Sequence, residues 1–251
     1  MIKFKEGTTL RLSIIVPAYN EGKNIFNNLK VIVTALSEFS ADFEVVAVND
    51  GSKDNTASEI IRASEEDKRI VPCIYEVNRG KGGAIVEGVS HATGDVIGFL
   101  DADLDLPPTM LKGFCEKMKE TGCDVVIGSK MHKDSKVDYP FARKVFSLCY
   151  YIMLKVLFGL KCKDTQTGIK IYKAEIIKKV ASLQKVKGFA FDIEQLAMAN
   201  KLGAKIEEMP ITLNYTRAAS FGRIKFKDVF KMFTDTMKIW WELRVTKKYK
   251  L

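Results

Sequence analysis

Five short apolar runs, each closed by a polar or glycine-rich turn and most followed by an amphipathic stretch, constrain the fold more than any other feature of this chain. Arg11 to Pro17, Phe43 to Val48, Val71 to Val77, Val96 to Leu100 and Val125 to Ile127 read as strands. Between them, Asn24 to Phe39 carries apolar residues at 25, 29, 32, 33 and 36, one face of a helix. Asn55 to Glu66 and Ala84 to Ala92 read as further helices, with Asn24 and Asn55 as N-caps. Repeated strand-helix units imply an α/β fold: a mostly parallel sheet, because parallel neighbours need a crossover long enough to hold a helix, with helices on both faces. Ligands of such sheets bind at the carboxyl ends of the strands. The polar turns all fall there.

The turn after the fourth run is the most specific chemically. Asp101, Asp103 and Asp105 occupy every second position before Pro107-Pro108 cuts the segment off. In a strand, side chains two apart share a face, so these carboxylates can converge on one hard cation that prefers oxygen ligands. A solvated acidic turn has the same composition. An EF-hand calcium loop does not fit, since Leu106 sits where that loop needs Gly and Lys112 where it needs Glu. A divalent metal held beside a diphosphate is the better reading of the segment. Asn78-Arg79-Gly80-Lys81-Gly82-Gly83 lacks the glycine spacing of the dinucleotide fingerprint, and Gly82 follows Lys81 where a Walker loop needs Ser or Thr. It does offer a flexible backbone, two cations and a helix N-terminus, a set suited to phosphate.

At 251 residues the chain makes one large domain or a domain with an appendage, and its 47 % apolar and 28 % charged content is that of a globular protein. The charge is uneven. From Arg217 to Leu251 there are ten Lys or Arg against three Asp or Glu, so seven of the formal +9 lie in the tail. Cys73, Cys115, Cys123, Cys149 and Cys162 are odd in number and form no C-x-x-C pair, which implies neither a disulfide framework nor a zinc cluster and suits a reducing, cytoplasmic setting. The start lacks a signal-peptide core, and the longest apolar stretch, Val145 to Leu160, is interrupted by Lys155. His91 reads as an ordinary helix residue, and no G-x-S-x-G elbow is present.

Taken in order, Val16-Pro17-Ala18-Tyr19-Asn20-Glu21, Asn49-Asp50-Gly51-Ser52, Gly80-Lys81-Gly82-Gly83 and Asp101-Ala102-Asp103 resemble the family 2 glycosyltransferases of GT-A fold, over roughly residues 10 to 215. Asp164-Thr165-Gln166-Thr167-Gly168-Ile169-Lys170 and Gly188-Phe189-Ala190-Phe191-Asp192-Ile193-Glu194 look like the dolichyl-phosphate glucosyltransferase branch, with the mannosyl branch its close neighbour. The resemblance implies a GT-A domain over 1–220 and transfer of a hexose, with inversion, from a nucleoside diphosphate sugar such as UDP-glucose or a UDP-N-acetylhexosamine to a polyprenyl phosphate. Pro17, Tyr19, Glu21, Asp50, Lys81, Asp101 and Ala102 would bind the nucleotide. Asp101 and Asp103 would hold Mg2+ or Mn2+, with Asp105 standing where many relatives carry Gln, and Asp192 would be an acidic group near the acceptor. Asn49 departs from the family, which more often has Asp there, and leaves base recognition to Asp50. Lys130, Arg143 and Ser147 match positions that bind the acceptor phosphate.

Phe141 to Phe158, within an apolar acceptor segment at 141–160, is apolar nearly all round. The tail, 221–251, shows Phe226, Val229, Phe230, Phe233, Met237 and Trp240 at helical spacing with lysines between. Core packing accounts for such stripes, and so does an amphipathic helix lying in a membrane interface beside anionic lipid. The expectation is peripheral attachment to the cytoplasmic face. Nucleic acid is the other partner a basic tail suggests, but the Phe, Met and Trp stripe favours lipid. A GDP-mannose enzyme, a transferase with a sugar acceptor and a catalytically silent nucleotide-sugar sensor remain as alternatives, the last opposed by the intact Asp101, Asp103, Lys130 and Arg143.

Overall fold

Leu12–Ala18 (β1) is buried along almost its whole length, as a strand with neighbours on both edges and helices on both faces must be. A computed structural model describes residues 10–136, 141–213 and 226–251, without the side chains of 141–146 and 226–230. After β1 come α1 (Ile25–Ser37), β2 (Phe43–Asp50), α2 (Thr56–Glu66), β3 (Ile70–Tyr75), α3 (Lys81–His91), β4 (Val96–Leu100), α4 (Met110–Thr121) and β5 (Val125–Ser129). The second half adds α5 (Phe141–Phe158), β6 (Ile169–Lys173), α6 (Ala174–Leu183), α7 (Phe191–Lys201), β7 (Ile206–Pro210), α8 (Phe226–Trp240) and a π turn over Trp241–Val245.

The strands form one sheet in the order β3-β2-β1-β4-β6-β5-β7. All neighbours run parallel except β6, which lies antiparallel between β4 and β5. The GT-A arrangement expected from the motifs is therefore present. Alternation along each strand divides the core in two. Ile14 and Val16 pack with Leu29, Ile32, Ile60 and Phe114 on the face of α1, α2 and α4. Ile15 faces the other way, among residues of α3, α5, α6, α7 and the tail.

Several details differ from the sequence reading. The Gly80–Gly83 segment is not a loop before a helix, because α3 already begins at Lys81 with Gly80 at φ 76°. Neither Asn24 nor Asn55 caps a helix with its side chain. Instead Asp54 accepts from the Thr56 N–H and hydroxyl and from the Gly22 N–H, which ties the start of α2 to the loop after β1. The end of the chain shares the core of the sheet: Ile239, Leu243 and Tyr249 lie in the same buried cluster as β1 and α7. This half of the tail is core because its apolar residues meet α5 and α7 directly. Tyr150 Oη lies 3.2 Å from Thr236 Oγ1, and Arg244 donates to Phe158 O at 3.1 Å. No helix among the described residues is long and apolar enough to cross a membrane. All five cysteines are free thiols, with Cys149 exposed and the others buried.

Candidate active site at the carboxyl ends of the central strands

The loops after β1, β2 and β4 and the first turn of α3 enclose a cleft of about 370 Å³. It is lined by Pro17, Tyr19, Glu21, Asp50, Lys81, Asp101, Ala102 and Asp103, all of them expected from the sequence. The loops are stitched to one another. Asn20, at φ 55°, donates its N–H to Ser52 Oγ at 3.0 Å, and its Oδ1 accepts the Lys53 N–H at 2.9 Å. The Glu21 N–H donates to Thr56 Oγ1 at 2.9 Å.

Asp50 is buried at the end of β2, with Oδ1 accepting the Tyr75 hydroxyl at 2.8 Å and the Arg79 N–H at 2.7 Å. Burial, and then Asp50, push the Tyr75 hydroxyl well above its ordinary range, so it stays a donor. Gly51 has φ 64°, and a Cβ there would lie 2.4 Å from Asn78 N, so the turn that aims Asp50 requires glycine. Asn49, beside it, is buried and donates to Tyr75 O at 3.4 Å.

Asp101 and Asp103 reach the cleft by a different route from the alternation proposed for a strand. β4 ends at Leu100, and the acidic residues lie in a turn with Leu104 at φ 56°. Asp103 accepts the Asp105 N–H at 3.2 Å, and Asn28 Nδ2 donates to Ala102 O at 2.7 Å. Asp105 is not among the residues that line the cleft.

A cation already stands on this carboxylate pair. Lys81 Nζ is 2.5 Å from Asp101 Oδ1. Burial works against the Lys81 ammonium, but Asp101, Asp192 and Asp103 outweigh it and raise its pKa. Carboxylates that hold an ammonium in this way also suit a hard divalent ion. Behind them, Asp192 is buried and accepts from Lys170, which also donates to Thr167 O at 2.7 Å. Burial raises Asp192 against the opposing pull of Lys170 and Lys81.

The residues expected to meet an acceptor phosphate are not gathered in this way. The Lys130 N–H donates to Asp164 Oδ2 at 2.9 Å, with its Nζ 3.8 Å from the same oxygen. Burial would raise Asp164, but Lys130 and neighbouring N–H groups hold it below the usual carboxylate range. Ser147 is half-buried on α5, and the Arg143 side chain lies outside the described residues. Reasoning from sequence missed Gly168, whose missing side chain admits Asp101, and Lys170, the partner of Asp192. The Asp164–Lys170 stretch was the available signal.

The family model of glycosyl transferase family 2 matches residues 13–181. A dolichyl-phosphate beta-glucosyltransferase of Trichomonas vaginalis is 34 % identical over 238 residues, covering 91 % of this chain and 72 % of the relative. Among solved structures, mannosyl-3-phosphoglycerate synthase from Rubrobacter xylanophilus has a TM-score of 0.71 at 16 % identity, covering 96 % of this chain and 76 % of the other. Glucosyl-3-phosphoglycerate synthase from Mycobacterium tuberculosis, in complex with Mn2+ and UDP-glucose, has a TM-score of 0.64 at 18 % identity, covering 94 % and 79 %.

Proposed function

Because the chain belongs to glycosyl transferase family 2 and is a glycosyltransferase, we propose that it moves glucose, with inversion, from UDP-glucose to a polyprenyl phosphate at a membrane surface. The observation that carries the reading is the cleft in which Asp50, Lys81, Asp101 and Asp103 meet. Asp50 accepts a base N–H through Oδ2, since Oδ1 is committed to Tyr75 and Arg79. Tyr19, half exposed at the rim, covers the nucleoside. Asp101 and Asp103 would hold Mg2+ or Mn2+, which when bound neutralises charge on the departing diphosphate. Lys81 shifts from Asp101 to the phosphates as the donor enters. The acceptor needs little activation, because a phosphate monoester has its second pKa near about 6 and is largely a dianion at neutral pH. Asp192 orients the acceptor side of the site from behind Lys81, and Lys130, Arg143 and Ser147 receive its phosphate.

Glucose is favoured by the relative at 34 % identity, which bears a glucosyltransferase name. Attachment to a membrane surface is supported by Leu148, Ile152 and Val156, which stand exposed at successive turns of α5. The test presents radiolabelled UDP-glucose, UDP-N-acetylglucosamine and GDP-mannose in turn with a polyprenyl phosphate. Label should enter the lipid phase from UDP-glucose. Preferential transfer from GDP-mannose would replace the donor, and transfer only to soluble sugars would replace the acceptor.

A further inference from the structure

Residues 184–188, which put no side chain into the donor cleft, set where its lysine stands. The Gly82 N–H donates to Lys187 O at 2.9 Å, and Gln184 Nε2 donates to Gly82 O at 3.0 Å and to Val186 O at 2.9 Å. These bonds fix the first turn of α3, which begins at Lys81. The fit is close. A Cβ on Gly82 would lie 2.7 Å from Val186 O, and one on Gly80 would lie 2.7 Å from Lys187 O. Displacing this loop by a few tenths of an ångström therefore displaces Lys81.

On its far side the loop has only Val186 packed against the core, and a cavity of about 290 Å³ opens between it and Lys238, Ile239 and Tyr249. Glu194 holds it. This residue, in the first turn of α7, has no exposed surface. Its Oε1 accepts the Lys185 N–H at 2.9 Å and its Oε2 the Val186 N–H at 2.8 Å. The buried Tyr249 hydroxyl completes the set, donating to Oε1 at 2.5 Å. A buried carboxylate is costly unless its oxygens are satisfied, and here three donors meet a group that accepts only. Gln could accept two of them and would present an N–H to the third. Tyr249 is itself tied in: the Lys185 ammonium lies 4.3 Å from its ring centre and pairs with Glu242 at 2.7 Å.

We propose that Glu194, steadied by Tyr249 of the tail, is a positioning residue for the donor loop, so that the docked tail governs donor affinity through Val186, Lys187 and Gly82. The proposal rests on the reading of the cleft as a nucleotide-sugar site. In the full chain, Glu194→Gln and Tyr249→Phe are compared with wild type by calorimetric titration with UDP and Mn2+, by the KM for donor and for acceptor, and by melting temperature. Glu194→Gln should weaken UDP binding about tenfold and Tyr249→Phe about threefold, with donor KM rising in step and acceptor KM unchanged. A role in stability alone would lower the melting temperature and leave UDP affinity at the wild-type value, which overturns the proposal. An equal rise in donor and acceptor KM overturns it too. Should Glu194→Gln fail to fold, Tyr249→Phe decides, since it leaves both loop hydrogen bonds in place. Wild-type protein that binds no UDP would instead remove the donor-site reading itself.

Discussion

A Cβ at position 168 would lie 2.2 Å from Asp101 Oδ2, so Asp101 keeps its place only because Gly168 has no side chain. Gly168→Ala must push that carboxylate aside. We expect Mn2+ affinity, followed by electron paramagnetic resonance, to fall about tenfold with the melting temperature little changed; equal affinity would separate Asp101 from the ion. Asp103→Ala should abolish transfer while the protein stays folded, and EDTA should do the same to wild type until Mg2+ or Mn2+ is restored. Full transfer in excess EDTA would contradict both. The contrast between these residues shows what a sequence makes legible. Asp50, Lys81, Asp101 and Asp103 sit in turns directly after apolar runs, where local pattern and chemistry coincide. Gly168 and Lys170 act through Asp101 and Asp192, remote in the chain, so the Asp164–Lys170 stretch marks the segment without showing which contact each residue makes.

The all-round apolar character of α5 and the stripe of α8 were both legible, but composition records how apolar a helix is and not what covers it. On α5, Leu154 and Phe158 are buried, whereas Leu148, Ile152 and Val156 are 48 %, 51 % and 79 % exposed on the opposite side. On the tail, Ile239 and Leu243 are buried and Trp241 is exposed. The same composition therefore serves two purposes, and substitution tells them apart. Leu243→Ala should cost about 2–5 kcal/mol of stability, as emptied core positions do. Changing Leu148, Ile152 and Val156 together to Ser should alter stability by well under that, since exposed positions usually matter within about ±0.5 kcal/mol each. It should nevertheless reduce sedimentation with anionic liposomes and slow transfer to long polyprenyl phosphates. Unchanged liposome binding would assign α5 no part in attachment. Strands β6 and β7 were not legible, because lysines interrupt the apolar run of β6 (Ile169–Lys173), and β7 (Ile206–Pro210) carries two glutamates and only partial burial.

Across the whole molecule, the two ends of the sheet do different work. At the end opposite the cleft, Glu44 joins β2 to β1 and to the turn before β4, accepting from Ser13 at 2.6 Å, the Thr93 N–H at 2.7 Å and Arg11 at 3.2 Å. Burial alone would raise Glu44, but these bonds outweigh it and hold the carboxyl below its ordinary 4.5. A carboxyl whose pKa falls on folding adds stability that is fully present above its unfolded value and is lost as pH falls through its folded one. Glu44→Gln should therefore be less stable than wild type at neutral pH, and their denaturation curves should converge as pH drops below 4.5; curves that stay parallel through the acid range would refute the link. The place of β6 has a consequence of another kind, in the timing of synthesis. β4 and β5 are both made before β6, yet they flank it, so a chain grown only as far as Ser129 holds two strands about 10 Å apart with an open slot between them. Residues 169–173 must thread back to fill it, and they bring Gly168 and Lys170 with them. A nascent chain can thus finish its nucleotide loops before its ion seat, and until the last third emerges the facing edges of β4 and β5 stay bare and open to unwanted pairing.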